Sequence, residues 1–198
     1  MRSFTPILLA IVAVEFTAPL LAQAPIEPLP PSRLAAAEIK ALVDFHNAAR
    51  AEVGAPPLRW SAQLGARAQQ WADHLAATGT FEHRPIDPEA TKFYGENLAI
   101  ASFPGYSPLQ ATQSWYGEKA DYTPGTPIPE SDPEFKAGHY TQMVWSTTTE
   151  IGAGKAVLTT GDMAGWTVVV ANYAPPGNAV GEMPFSKQGA ITTHPTAP

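Results

Sequence analysis

Apolar positions recur with helical spacing in three stretches of the chain and take on strand character in two others. Leu34, Ala37, Ala41, Phe45, Ala48 and Glu52 follow a helical period, and Leu42 and Ala49 widen the apolar face. Ser32 is the expected N-cap, Gly54 ends the helix, and Pro56-Pro57 prevents its resumption. A second helix is expected after Ser61, with Leu64, Ala68, Trp71 and Leu75 on one face and Gly79 as the stop. Ser107-Pro108-Leu109-Gln110 combines an N-cap, a proline at the first helical position and a capping-box glutamine, so it opens a third helix. On that helix Trp115, Glu118 and Tyr122, spaced three and four apart, are expected to face the same way. Residues 81–106 read as irregular apart from a short extended piece at Asn97–Ala101, and 123–137 as a long loop rich in Pro, Gly and Asp. Ile151–Leu158 and Trp166–Ala171 read as strands, and the loop Thr159–Gly165 between them suggests an antiparallel pair.

The ends follow different rules. Arg2, the apolar run Ile7–Val14 and the Ala22-Gln23-Ala24 pattern mark residues 1–24 as an export signal. An eight-residue apolar core is short for a membrane span, so no stable insertion is expected once the signal is removed. Residues 25–32, with four prolines between Pro25 and Pro31, form an extended linker. The domain is expected over 33–178, and 179–198 as a flexible tail.

Composition narrows the function classes. At 198 residues the chain can build one domain with a full core, and 44% hydrophobic against 15% charged residues fits a globular protein. The net charge of −6, without a basic run, argues against nucleic acid as a partner. With no cysteine, disulfides, thiolate metal ligands and cysteine nucleophiles are excluded, so a metal site has to use His, Asp or Glu.

The segment Gly138-His139-Tyr140-Thr141-Gln142-Met143-Val144-Trp145 places a histidine, two aromatics, a hydroxyl and an amide in eight residues without a formal charge. It suits either the wall of a cleft or a short buried helix with satisfied polar groups. Four further segments accompany it: His46-Asn47-Ala48-Ala49-Arg50, Gly95-Glu96-Asn97-Leu98, Trp115-Tyr116-Gly117-Glu118 and Asn172-Tyr173-Ala174-Pro175-Pro176-Gly177-Asn178. Together and in this order they resemble the CAP superfamily, the secreted proteins related to cysteine-rich secretory proteins, antigen 5 and plant pathogenesis-related 1, also called SCP or TAPS domains. The resemblance covers residues 36–178, and the absence of cysteine is that of bacterial-type members.

The resemblance implies an α+β fold, a three-layer α-β-α sandwich around a mostly antiparallel sheet. It also implies a cleft lined by two histidines and two glutamates, which by motif match are His83, Glu96, Glu118 and His139. Arg84 stands where the family often has Ser, so His83 is the loosest match of the four. Two neutral imidazoles can hold a divalent ion such as Zn²⁺, with carboxylates that orient them or take a proton from bound water. The four lie 13, 22 and 21 residues apart, so only the fold can gather them. Each also has a structural reading: Glu96 as a turn-holding acid, Glu118 as a partner for a histidine, His139 in a core and His83 on a solvated loop. His46, Asn47, Arg50, Asn172 and Tyr173 read as architectural.

The expected function is that of a secreted, extracellular or periplasmic, non-enzymatic CAP domain. It would bind a small molecule, lipid or extracellular protein at a cleft holding a divalent metal through His83 and His139. The alternative is a metal-assisted hydrolase or protease acting on peptides or cell-wall material, with Glu96 or Glu118 as catalytic base.

Overall fold

The computed structural model describes residues 29–85, 94–103, 105–130, 132 and 134–186. The expected export signal and residues 25–28 of the expected linker lie outside them. The elements in chain order are α1 (Ala36–Glu52), β1 (Arg59–Trp60), α2 (Ala62–Thr78), β2 (Gly95–Ala101), α3 (Pro108–Gly117), a 3-10 turn (Glu118–Asp121), α4 (Gly138–Met143), β3 (Glu150–Val157) and β4 (Thr167–Ala174). One sheet carries the strands in the order β1-β3-β4-β2, with β1 parallel to β3 and the other two pairs antiparallel.

Period-two alternation on β4 divides the core. Val168 and Val170 face α2, where they meet Ala68, Trp71, Ala72 and Leu75. Val169, Ala171 and Tyr173 face the other way, into a larger cluster with Leu42 and Ala49 of α1, Trp115 of α3 and Tyr140 and Met143 of α4. The result is the three-layer α-β-α sandwich, with β4 buried on both faces. Two glycines set the spacing of one layer. A Cβ on Gly152 would lie 2.0 Å from the backbone nitrogen of Gly65, and one on Gly154 would lie 2.5 Å from Cα of Gln69, so α2 rests directly on the backbone of β3.

The local signals of α2 and α3 hold. Ser61 Oγ accepts the Leu64 N–H at 3.4 Å, and Gly79 closes α2 in the left-handed region at φ 71°. Ser107 and Gln110 form the reciprocal box ahead of α3. Elsewhere the structure differs. Ser32 is not the cap of α1: its hydroxyl donates to the Ala153 carbonyl at 2.7 Å, and α1 starts after Ala35, whose N–H is taken by the Glu38 carboxylate. The inward face of α1 is Leu42, His46, Ala49 and Arg50, while Ala37 and Ala48 are exposed. α3 ends at Gly117, so Glu118 sits on the tighter 3-10 turn. β1 is too short to show a period. The expected tail begins with packed chain, because Gly181 N–H donates to the Ile128 carbonyl, Ile128 N–H donates to the Glu182 carbonyl, Pro184 accepts the Ser146 N–H, and Phe185 is buried.

Two buried polar side chains explain the unexpected face of α1. The Arg50 guanidinium donates to four carbonyls, those of Pro56, Met143, Trp145 and Thr148, at 2.6 to 2.9 Å. Burial lowers its pKa to about 10, which leaves it charged at neutral pH. It thereby ties the loop after α1 to the end of α4 and the connection that leads into β3. His46 gives its Nδ1–H to the Leu42 carbonyl (2.8 Å) and accepts the Tyr173 hydroxyl at Nε2 (2.9 Å). Burial, reinforced by the nearby Arg50 charge and opposed by the Leu42 bond, lowers its pKa to about 4.

Arg50→Met removes the donors of four carbonyls at once and is expected to cost at least about 3 kcal/mol in urea unfolding. The His46 ring, protonated more readily in the unfolded chain, sets a pH dependence. Its stabilising contribution is full above about pH 6.5 and falls by about 3 kcal/mol as the pH drops to about 4. Urea midpoints at pH 7 and pH 4.5 should therefore differ more for the native chain than for His46→Asn.

Candidate functional site

A cleft of about 480 Å³ is lined by His83, Glu96, Glu118 and His139, together with Asn97, Phe135, Lys136, Gly138 and Asn178. All four residues singled out from the sequence thus line one space. They come from the segment after α2, the start of β2, the 3-10 turn and the first turn of α4.

Each histidine is paired with one carboxylate. Glu118 Oε1 lies 2.6 Å from His139 Nδ1, while its Oε2 accepts the backbone N–H groups of His139 (2.8 Å) and Tyr140 (3.2 Å). Glu96 Oε1 lies 3.1 Å from His83 Nδ1 and accepts the Arg84 N–H at 3.0 Å, while its Oε2 takes the Asn172 amide at 3.3 Å. An ionised carboxylate only accepts, so each Nδ1 carries a proton, and in the neutral imidazole Nε2 is then the nitrogen with the lone pair. Neither Nε2 has a hydrogen-bond partner among the described residues. Each carboxylate has three donors, which fill three of its roughly four acceptor positions.

The substitution at Arg84 leaves this geometry intact, because the backbone N–H makes the contact with Glu96. The Arg84 side chain instead donates to the Arg67 carbonyl at 2.9 Å and lies over Trp71, 5.0 Å from the ring centroid. His83 is the open member of the set, its side chain 61% exposed against 34% for His139.

Behind the pairs stands a polar relay. Asn97 Nδ2 donates to the His139 carbonyl (3.1 Å) and to the Tyr173 hydroxyl oxygen (3.2 Å). The Tyr173 O–H in turn donates to His46 Nε2, and burial raises the phenol's pKa far above its ordinary value. The Trp115 ring lies 6.2 Å from that of His139 at 24° and is fixed by donation from Nε1 to the Leu98 carbonyl at 2.9 Å. Asn178 adopts φ 57°, a conformation asparagine tolerates, and ties α4 to the turn after β4 through the Gly138 carbonyl and the Thr141 hydroxyl, both at 2.8 Å. Sequence reasoning did not single out Lys136 or Asn178 as cleft residues; their one signal was proximity to His139 and to the end of the last strand.

The profile of the cysteine-rich secretory protein family, CAP, matches residues 43–173. The chain belongs to this family. The CAP domain is 35% identical over 143 residues to pathogenesis-related protein 1C of Nicotiana tabacum, covering 72% of this chain and 78% of that protein. It is 36% identical over 143 residues to a PR-1 type protein of Sambucus nigra, covering 72% and 79%. Among solved structures, BmVAL-1 superposes with a TM-score of 0.66 at 24% identity, covering 80% of this chain and 86% of that one. NaASP2, described with Zn²⁺, superposes with a TM-score of 0.64 at 22% identity, covering 80% and 90%. Likeness at this level of identity establishes the shared fold.

In this CAP domain Glu118→Gln replaces a carboxylate whose two oxygens accept from three N–H groups with an amide whose NH2 end can accept from none of them. The expected result is a loss of about 1–3 kcal/mol in stability, read by urea unfolding, with broadening of the amide signals of His139 and Tyr140.

Proposed function

We propose that the chain is a secreted, non-enzymatic binding protein whose cleft takes up an exchangeable divalent ion through Nε2 of His83 and Nε2 of His139, with an external ligand completing the shell. The two histidine–carboxylate pairs carry this reading. A metal-binding imidazole characteristically donates its other nitrogen to a carboxylate, which fixes the tautomer and the ring orientation. Both histidines have that arrangement, and the donor set of two imidazoles with outer carboxylates suits Zn²⁺. Among the described residues no three His, Asp or Glu side chains are already gathered as a cation cage. The site therefore needs positions supplied by ligand or solvent. Zn²⁺ is the ion to test, since a family structure is described with it.

The same bonds weigh against hydrolysis. A general base needs a free acceptor directed at water, and Glu96 and Glu118, each engaged by three donors, are left with about one. Their work is to hold the rings. When bound, the ion would supply a Lewis-acid anchor for an oxygen- or nitrogen-bearing ligand. Phe135 and Lys136 would offer that ligand an apolar wall and an ammonium group.

Calorimetric titration with Zn²⁺, with native mass spectrometry for stoichiometry, should show one ion per chain. Affinity should fall at least about tenfold in Glu118→Gln and further in the His83→Ala, His139→Ala double variant. Unchanged affinity in the double variant would remove the proposed site.

A further inference from the structure

The chain is acidic, with a net charge of −6, yet in one place positive charge is concentrated without a counter-charge. Arg67 on α2 and Arg84, the residue after His83, are neighbours: Arg84 Nη2 donates to the Arg67 carbonyl at 2.9 Å. Burial and the Arg67 charge both disfavour the charge on Arg84, and Glu96 favours it. Glu96, however, takes the Arg84 backbone N–H and not its guanidinium. Among the described residues neither guanidinium has a carboxylate partner. The other described Lys and Arg side chains are ion-paired or, for Arg50, held by four carbonyls.

Both guanidiniums are built into the surface. Cζ of Arg67 lies 4.4 Å from the Tyr94 ring centroid and Cζ of Arg84 5.0 Å from that of Trp71. Trp71 is itself fixed by donation from Nε1 to the Glu82 carbonyl at 3.1 Å. Stacking on a ring restrains the plane of each fork, so less freedom is lost when a ligand is held. Arg84 Nη1 also reaches the Gln70 amide oxygen at 3.3 Å, while the Arg67 guanidinium donates to no described residue. Nε of each arginine is buried without a hydrogen-bond partner, two of the three such side-chain atoms among the described residues. Buried donors with no acceptor leave their positive ends uncompensated.

We propose that Arg67 and Arg84 form a binding site for a tetrahedral oxyanion, a phosphate or sulfate group either free or on a small-molecule ester. The two forks choose that class. One guanidinium engages two oxygens of an anion at once. Two adjacent guanidiniums therefore call for more oxygens than a carboxylate offers, and a phosphate or sulfate has them. A phosphate monoester also carries a charge of about −1.5 to −2, which matches two cations. Neither arginine lines the cleft, so the site requires no ion at His83 and His139. It does require the arginine at position 84, where a serine would supply neither fork nor charge.

The test is a titration of the metal-free ¹⁵N-labelled protein with inorganic phosphate at neutral pH and constant ionic strength, read by NMR at the arginine Nε–H signals. Saturable one-to-one binding is expected, with the shifts concentrated at Arg67 and Arg84. Acetate should bind at least about tenfold more weakly. Phenyl phosphate binding more tightly than inorganic phosphate would identify an ester as the source, and the reverse order the free anion. Arg67→Met should weaken phosphate at least about tenfold, and Arg67→Lys, which keeps the charge and loses the fork, nearly as much. Arg67 donates no hydrogen bond to a described residue, so both variants are expected to fold. His139→Ala should bind phosphate as the native chain does. The proposal is overturned by absence of saturable binding, by acetate binding as tightly as phosphate, by native affinity in both Arg67 variants, or by binding lost in His139→Ala. Binding that appears only after Asp87→Asn and Glu89→Gln would assign the two guanidiniums to the chain's own carboxylates and overturn it as well.

Discussion

The Glu118 carboxylate is the point on which the cleft depends. It accepts from the ring of His139 and from the backbone of His139 and Tyr140, so one side chain starts α4 and aims the histidine that α4 carries. α4 has only six residues and its N-cap, Ala137, has no side chain able to accept. A helix that short contributes little internal stability. Its first turn is held from outside, and the orientation of His139 follows from the same bonds. Glu96 does the corresponding work for His83 with one difference: its other partners are the buried Asn172 amide on β4 and a single backbone N–H, that of Arg84, beside a His83 side chain open to solvent. One half of the cleft is therefore rigidly built and the other more accessible.

A polar interior that is nearly fully satisfied supports this arrangement. Arg50 bonds three carbonyls of the chain that leads from α4 into β3 and the Pro56 carbonyl in the loop after α1, and the relay from Asn97 through Tyr173 to His46 joins the His139 carbonyl to α1. Trp115 stands between the two histidine rings, 6.5 Å from His46 and 6.2 Å from His139. Such groups are expensive to bury alone and stabilising when every partner is present. They also bind the sheet and three helices to one geometry at the floor of the cleft.

Features set by near neighbours in the chain were legible in the sequence. Ser61 and Gly79 bound α2, and Ser107, Pro108 and Gln110 open α3, because caps act over three or four residues. The α-β-α architecture and the cleft membership of His83, Glu96, Glu118 and His139 came through ordered motifs. What escaped depends on distant partners. The inward face of α1 was misplaced because apolar periodicity gives no weight to His46 and Arg50, whose burial becomes favourable only once carbonyls and Tyr173 arrive from elsewhere in the chain. Ser32 has the chemistry of a cap but spends its hydroxyl on β3. Phe185 lies in a polar, proline-bearing stretch without periodicity, and only the aromatic contact formed with Tyr122 shows why it is buried. Lys136 enters the cleft through the course of a loop that no local rule encodes.

The central claim is that the two carboxylates fix both histidines with the proton on Nδ1, presenting Nε2 to the cleft. Long-range ¹H–¹⁵N correlation of the imidazoles at a pH where the rings are neutral, without added metal, reads this directly. The account predicts a protonated Nδ1 and an unprotonated Nε2 for both His83 and His139, with His139 reverting toward a tautomer mixture in Glu118→Gln. A proton on Nε2 of His139 in the native chain would contradict it.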